Sequence, residues 1–139
     1  MEHKVEYKRT KSRGRGVFAL KDLKRGQLIE EAPVIVLSPK DSSVCERTIL
    51  DLYIYPWKGK KDGCLALGYG SLYNHSFEPN AEYDLNYRKT TISYTALHSI
   101  KKGDEVLVNY NGNPDGKDEV PIFTQQGRKR AKLRYKRGL

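Results

Sequence analysis

The stretch Ser71-Leu72-Tyr73-Asn74-His75-Ser76-Phe77-Glu78-Pro79-Asn80-Ala81-Glu82-Tyr83 is the most informative part of this chain. It places two amides, an imidazole and two phenols within 13 residues, between two segments that have the composition of β-strands. Polar groups in this number are costly to bury unless each is hydrogen-bonded. The stretch therefore predicts a binding site for a flat, polar, aromatic ligand rather than a packing element.

Two other segments suit a ligand site. Upstream, Arg13-Gly14-Arg15-Gly16-Val17-Phe18-Ala19 has two glycines just before a short apolar run, and glycine lets the backbone approach a ligand closely. No long helix and no Gly-Lys-Ser/Thr follows, so this is not a Rossmann or P-loop site. Downstream, Lys102-Gly103-Asp104-Glu105-Val106-Leu107-Val108-Asn109-Tyr110 predicts a turn and then a strand that ends at a tyrosine. Taken singly, the segments also fit a plain turn, a structural histidine and a tyrosine at the edge of a core.

In this order and spacing the three segments resemble the SET-domain protein lysine methyltransferases, over roughly residues 4 to 123. The resemblance implies a mostly-β SET fold of several short-stranded sheets, with a pseudoknot-like C-terminal thread and one helix. It implies transfer of a methyl group from S-adenosylmethionine to a lysine ε-amine of a protein, with Asn80 helping to fix the threaded loop. The cofactor contacts that it implies come from Arg13, Gly14, Arg15, Asn74, His75 and Phe123.

The resemblance also implies a catalytic role for Tyr110, whose hydroxyl would lie at the methyl-transfer centre. Tyr53 and Tyr83 match positions that line the lysine channel. Attack of a neutral amine on a sulfonium methyl needs alignment, desolvation and a channel of one width rather than a strong base. Aromatic rings suit such a channel because they are apolar, rigid and favourable to a methylammonium cation. Gly112 stands where some members carry a second aromatic residue, so the number of methyl groups transferred is left open.

Many SET enzymes close the lysine channel with zinc-bound cysteines. Here Cys45 and Cys64 lack a Cys-x-x-Cys partner and the three histidines are scattered, so we expect no zinc site and free thiols rather than a disulfide. The apolar segment Val120-Pro121-Ile122-Phe123 is expected to fold back and close the channel by packing.

The net charge of +9 is unevenly distributed. Residues 128–139 contain seven Lys or Arg and no acid, whereas residues 1–127 carry 19 basic and 17 acidic side chains. We therefore predict a nearly neutral SET domain over residues 1–123 and a basic C-terminal tail over residues 124–139. A solvated tail is the plainest interpretation, and nucleic-acid contact through residues 128–137 or recruitment to an acidic partner is left open.

A length of 139 residues fits one domain. Short apolar runs separated by turns predict a mostly-β domain, and residues 43–55, which Pro56 ends, are predicted to form its one helix. Pro33 predicts a bulge or an edge in the strand over residues 27–37. The other predicted strands cover residues 5–8, 17–19, 64–67, 81–87, 90–97 and 105–110.

Two functions of other classes also fit these residues: a catalytically inactive SET-like binding module, and a nucleic-acid-binding protein that acts through the tail. No apolar run approaches the ~20 residues of a membrane span, and Met1-Glu2-His3-Lys4 lacks the apolar core of a signal peptide. We expect an intracellular protein without a membrane partner, in the cytoplasm of a bacterium or in the host nucleus for a viral or effector protein. The substrate protein, whether a histone or another basic protein, and the oligomeric state, a dimer included, are left open.

Overall fold

The computed structural model describes residues 3–59 and 61–117. These residues form one α-helix, two short 3-10 helices over Ile49–Leu52 and Gly70–Leu72, and nine strands. The helix α1 covers Pro39–Cys45. The strands are β1 (Val5–Arg9), β2 (Arg15–Ala19), β3 (Leu28–Leu37), β4 (Ile54–Pro56), β5 (Gly63–Ala66), β6 (Asn74–His75), β7 (Ala81–Asn86), β8 (Thr91–Ala96) and β9 (Glu105–Val108).

The smaller sheet has the strand order β1-β2-β9-β6. β1 and β2 form an antiparallel hairpin, and β2 pairs with β9 in the same sense. β6 instead runs parallel to β9, so Asn74 lies opposite Leu107 and His75 opposite Val108. A parallel neighbour requires a long connection, which here contains the β7–β8 hairpin. This sheet brings all three conspicuous segments of the sequence side by side.

The larger sheet has the order β4-β5-β3-β8-β7 and is antiparallel throughout. β3 changes partner along its length, because residues 28–33 pair with β8 and residues 34–37 pair with β5. Pro33 lies where β3 changes from β8 to β5 as its partner. Such a position suits proline, which has no N–H to donate to a ladder. Of the bulge or edge predicted at Pro33, the bulge is not found there, because the register shift lies between Leu28 and Glu30. Pro33 is instead the last residue that pairs with β8.

Alternate strand residues fill the core between the sheets. In β8 the inward-facing residues are Ile92, Tyr94 and Ala96, and in β9 they are Val106 and Val108. This alternation is the pattern expected of strands with one buried face. Tyr94 brings a hydroxyl into the core, so the core and the polar site described below are continuous.

The helix begins earlier than predicted. Ser38 caps it by accepting a hydrogen bond from the Asp41 N–H at 3.1 Å, and Pro39 occupies its first turn; both are strong helix-start signals. The predicted helix over residues 43–55 is wrong beyond Cys45. Thr48 caps a 3-10 helix, and Tyr55 then lies in β4, where pairing with β5 buries its ring.

The mostly-β architecture with one α-helix among the described residues confirms the predicted fold class. The predicted domain boundary at residue 123 and the basic tail lie outside the described residues. No helix within residues 3–59 and 61–117 is long and apolar enough to cross a membrane.

Candidate active site

The site is built where β9 passes along the stretch that follows β6. Beyond their parallel pairing, the Ser76 N–H donates to the Val108 carbonyl at 2.9 Å. The Tyr110 N–H donates to His75 Nδ1 at 2.9 Å. Because β2 pairs with β9 on its other side, Tyr110 emerges from a strand that is held along both edges.

Asn80 fastens the same loop to β9. Its amide Nδ2 donates to the Glu105 carbonyl at 2.8 Å, and its Oδ1 accepts from the Leu107 N–H at 2.8 Å. Its backbone N–H donates to the Leu107 carbonyl at 3.2 Å. Three bonds from one side chain and its backbone explain why an asparagine suits this position. The sequence-based expectation that Asn80 fixes the loop agrees with this geometry.

The carboxylate of Glu105 joins the three segments. One oxygen accepts from Arg13 Nη2 at 2.8 Å and the other accepts from Asn74 Nδ2 at 2.7 Å. Asn74 Nδ2 also lies 3.2 Å from the Arg15 carbonyl, and Arg13 Nη1 donates to the His75 carbonyl at 3.2 Å. Glu105 was not predicted as a site residue, although an acid at the start of an apolar strand marked it as unusual.

The side chains of Asn74 and His75 make hydrogen bonds within the protein. The amide nitrogen of Asn74 is engaged by Glu105 and Arg15, and the His75 Nδ1 accepts from a backbone N–H. The Asn74 Nδ2 and the His75 Nδ1 are thus engaged by the protein itself, and contact of Asn74 and His75 with the cofactor stays a prediction. Burial, and secondarily Arg13, lower the pKa of His75, which favours the neutral ring that an accepting Nδ1 requires.

Glycine is required at positions 14 and 16 for different structural reasons. Gly14 has a φ of +70°, and a Cβ built on it meets no atom within 4 Å. A Cβ on Gly16 would clash with the Glu105 carboxylate and lie 2.8 Å from Asn74 Nδ2. Glycine is thus needed at position 14 for the backbone conformation and at position 16 for space.

This difference predicts the effects of two alanine substitutions. Gly16→Ala should lower the free energy of unfolding by about 2–3 kcal/mol, because overpacking displaces a hydrogen-bonded pair. Gly14→Ala should cost only about 1 kcal/mol, from the left-handed backbone conformation. Urea unfolding of both variants measures the difference. Equal losses, or a larger loss for Gly14→Ala, would contradict the close packing at Gly16.

The three tyrosines predicted for the site converge. The Tyr110 hydroxyl donates to the Tyr73 carbonyl, and the Tyr83 hydroxyl donates to the Tyr110 carbonyl at 3.2 Å. Burial raises the pKa of Tyr83 to about 12 and, with smaller effects from Tyr83 and Tyr53, raises the pKa of Tyr110 above its usual value. The backbone carbonyl of Tyr53 accepts a hydrogen bond from the Ser71 hydroxyl at 3.0 Å. The phenols of Tyr83 and Tyr110 are therefore neutral at physiological pH.

Sequence reasoning missed three further phenols around them. The fully buried Tyr73 and Tyr94 rings stack with their centroids 4.1 Å apart. The Tyr94 hydroxyl lies 2.9 Å from the Tyr55 hydroxyl, and both approach the Gly70 carbonyl. Tyr73 lies in the stretch from which a ligand site was predicted, whereas for Tyr55 and Tyr94 the sequence signal was the high tyrosine content, ten of 14 aromatic residues. We call the six residues the tyrosine cluster: Tyr53, Tyr55, Tyr73, Tyr83, Tyr94 and Tyr110.

The other predicted features are placed as follows. Phe123, proposed as a cofactor contact, and the closing segment over residues 120–123 lie outside the described residues. Cys45 and Cys64 are free thiols, as expected, and burial raises the pKa of Cys64 to about 11. Within residues 3–59 and 61–117 there is no group of three or more His, Cys, Asp or Glu side chains arranged to hold a metal ion.

The parallel pairing of β6 with β9 brings together the three segments that resemble SET domains: the glycine-rich turn, the stretch around β6 and the strand that leads to Tyr110. The family model for the SET domain matches residues 14–111, and the chain belongs to the SET-domain family. By this membership and its relatives it is a protein-lysine N-methyltransferase.

Two relatives illustrate the match. One is the histone-lysine N-methyltransferase of Schizosaccharomyces pombe that is specific for H3 lysine-37, which is 36% identical over 117 residues, 84% of this chain and 79% of that protein. The other is a crystal structure from Plasmodium falciparum, provisionally assigned as a histone methyltransferase. It is 31% identical with a TM-score of 0.66, over 79% of this chain and 95% of that one.

Proposed function

We propose that the chain uses S-adenosylmethionine as methyl donor and methylates a lysine on a histone. The observation that carries the proposal is the position of the Tyr110 hydroxyl. It donates to the Tyr73 carbonyl inside the tyrosine cluster, close enough to the ion pair of Arg13 and Glu105 for both to affect the pKa of Tyr110. A buried, uncharged and aromatic site of this kind suits transfer of a methyl group to an amine.

The residues present fit S-adenosylmethionine, which supplies an electrophilic methyl on sulfonium sulfur. The space beside the Gly14 backbone is open, since a Cβ there would touch nothing. The Phe77 ring packs edge-on against His75, with ring centroids 4.5 Å apart, and borders an open cavity of about 640 Å³. The far wall of the cavity is formed by residues 114–117. This volume is within the range of cofactor sites.

The protein's own groups would align and desolvate the amine. The pKa of Tyr110 is raised, so its hydroxyl acts as a hydrogen-bonding dipole and not as a base. His75 Nδ1 already accepts the Tyr110 N–H, and the Glu105 carboxylate holds Arg13 and Asn74. We therefore infer that the lysine would enter deprotonated and that its lone pair would form the new N–C bond as the methyl–sulfur bond breaks. S-adenosylhomocysteine would then leave as a neutral thioether, and the product ammonium would release its extra proton to solvent.

Histone is the substrate class we infer first. The relative from Schizosaccharomyces pombe is named for methylation of histone H3. Residues 1–127 carry 19 basic and 17 acidic side chains, so this part of the chain presents little net charge to repel a basic peptide.

The test is incubation with labelled S-adenosylmethionine and recombinant histones, followed by mass spectrometry of the modified site. Tyr110→Phe serves as the low-activity control. Absence of cofactor binding in calorimetry would overturn the proposal. Cofactor binding without methyl transfer to histones or to proteins of a cell lysate would favour the alternative of a binding module.

The neutral phenols predict the pH dependence of turnover. Free lysine has a pKa of about 10.4, so kcat/KM should rise about tenfold per pH unit between pH 7 and 9. The raised pKa values of Tyr83, about 12, and of Tyr110 place loss of their protons above this window. The lowered pKa of His75 places its titration below it. Initial rates with a histone peptide measure the profile, and a downturn before pH 9 with the fold intact would contradict it.

A further inference from the structure

Glu30 connects β3 of the larger sheet to the segment that leads into the site. One carboxylate oxygen accepts from the Tyr73 hydroxyl at 2.8 Å, and the other accepts from the Tyr69 N–H at 2.9 Å. Neither contact involves the residues assigned to the cofactor or to the lysine channel. Hydrogen bonds to an ionised acceptor are the stronger kind, so Glu30 anchors the segment over residues 69–73 at both of its ends.

Tyr73 transmits this anchor to the reacting centre. Its side chain is fully buried and stacked on Tyr94, and its carbonyl accepts from the Tyr110 hydroxyl. The ring and the carbonyl belong to one residue in a close-packed core. A displacement of the Tyr73 side chain therefore moves the acceptor that orients Tyr110.

The turn over residues 68–70 packs tightly against Glu30, Tyr94 and Ala32. A Cβ added at Gly68 would clash with the Glu30 carboxylate. A Cβ added at Gly70 would lie 3.0 Å from the Tyr94 hydroxyl and 3.2 Å from the Ala32 Cβ. Because this turn is in direct contact with Glu30 and Tyr94, it follows their positions.

We propose that Glu30 is a positioning residue for methyl transfer. Through the Tyr73 hydroxyl it fixes the Tyr73 carbonyl, and through that carbonyl it fixes the direction of the Tyr110 hydroxyl. The inference rests on the proposed function, because it takes Tyr110 as the group at the transfer centre. The residues that determine the rate would then include Glu30, a carboxylate on the larger sheet, whereas Tyr110 follows a strand of the smaller sheet.

Three substitutions separate positioning from general support. Tyr73→Phe removes only the hydroxyl that Glu30 accepts, and it keeps the stacked ring and the carbonyl. Glu30→Gln keeps the shape but has one acceptor oxygen for two donors; the Tyr69 N–H can only donate, so the Tyr73 contact is the one that weakens. Glu31→Gln is the matched control, since Glu31 is the next residue of β3 and is exposed.

In steady-state kinetics, Glu30→Gln and Tyr73→Phe should each lower kcat about tenfold, because sub-ångström misplacement of a reacting group is costly. The KM for peptide and the Kd for cofactor should stay within about twofold, and Glu31→Gln should match the wild type. The double variant should be no slower than Tyr73→Phe, because both changes remove one interaction. Unchanged kcat in both single variants, or losses that multiply in the double variant, would overturn the proposal.

A readout that does not need turnover distinguishes this proposal from the proposed function. With ¹³Cζ-tyrosine labelling, the Tyr110 resonance is identified by its loss in Tyr110→Phe. It should shift in Glu30→Gln and in Tyr73→Phe but not in Glu31→Gln. A resonance that is the same in all three proteins would refute the positioning role, whether or not the chain methylates. A wild-type protein without methyl transfer but with these shifts would refute only the proposed function.

Discussion

Tyr110→Phe is expected to lower kcat about 100-fold, the typical loss when one preorganised hydrogen-bonding group is removed from an active site. The Kd for S-adenosylmethionine should stay within about threefold. The substitution removes a single hydroxyl, whereas the ring contact with His75 at 5.3 Å and the backbone N–H bond to His75 Nδ1 remain. The fold should therefore be retained while the aligned dipole is lost. Because burial raises the pKa of Tyr110, the phenylalanine variant should be slow throughout pH 7 to 9.

Single-turnover rates at saturating cofactor, with calorimetric Kd values, separate the two effects. Tyr7→Phe is the matched control, because Tyr7 is an exposed tyrosine of β1 outside the tyrosine cluster. It should methylate at the wild-type rate. A Tyr110→Phe protein with wild-type kcat would remove Tyr110 from the chemistry. One that is slow only because the cofactor no longer binds would give Tyr110 a binding role instead.

Most of the fold was predictable because its signals are local. The alternation of β8, the hairpin that joins it to β7, and the short β1 and β2 strands follow from runs of a few residues. The helix was misplaced because Ile49, Leu50 and Tyr53 imitate one helical face. The helix start signal, Ser38 followed by Pro39, lies upstream of the predicted start. Residues 54–56 form a strand because they pair with the edge of β5.

The site was predictable only at the positions to which the resemblance to SET domains assigns a role. The phenols at positions 53, 83 and 110 were identified from the sequence and do converge. The partners of the carboxylates were not predictable, because they depend on which strands meet. Glu105 lies 92 residues from Arg13 and 31 from Asn74, and Glu30 lies 43 from Tyr73. No local sequence pattern predicts that an acid on β3 or β9 accepts hydrogen bonds from Arg13, Asn74 or Tyr73.

Glu105→Gln is expected to lower the free energy of unfolding by about 2–3 kcal/mol and to weaken cofactor binding about tenfold or more. The carboxylate accepts from Arg13 on one oxygen and from Asn74 on the other. A glutamine has one oxygen, so in either amide orientation its NH2 group faces one of these donors. With that bond lost, the segment over residues 13–16 is less ordered before binding, and its ordering then opposes cofactor affinity.

Urea unfolding and calorimetry with S-adenosylmethionine measure both effects, and Glu82→Gln on β7 supplies the same charge change at an exposed site. The exposed control matters because a surface ion pair alone is worth only about 0–1 kcal/mol. The Glu105 side chain is 13% exposed, and its second contact with buried Asn74 makes the larger loss the physical expectation. If Glu105→Gln unfolds and binds cofactor like Glu82→Gln, the Arg13 and Asn74 segments are held by their backbone bonds, and the carboxylate only fills space beside Gly16.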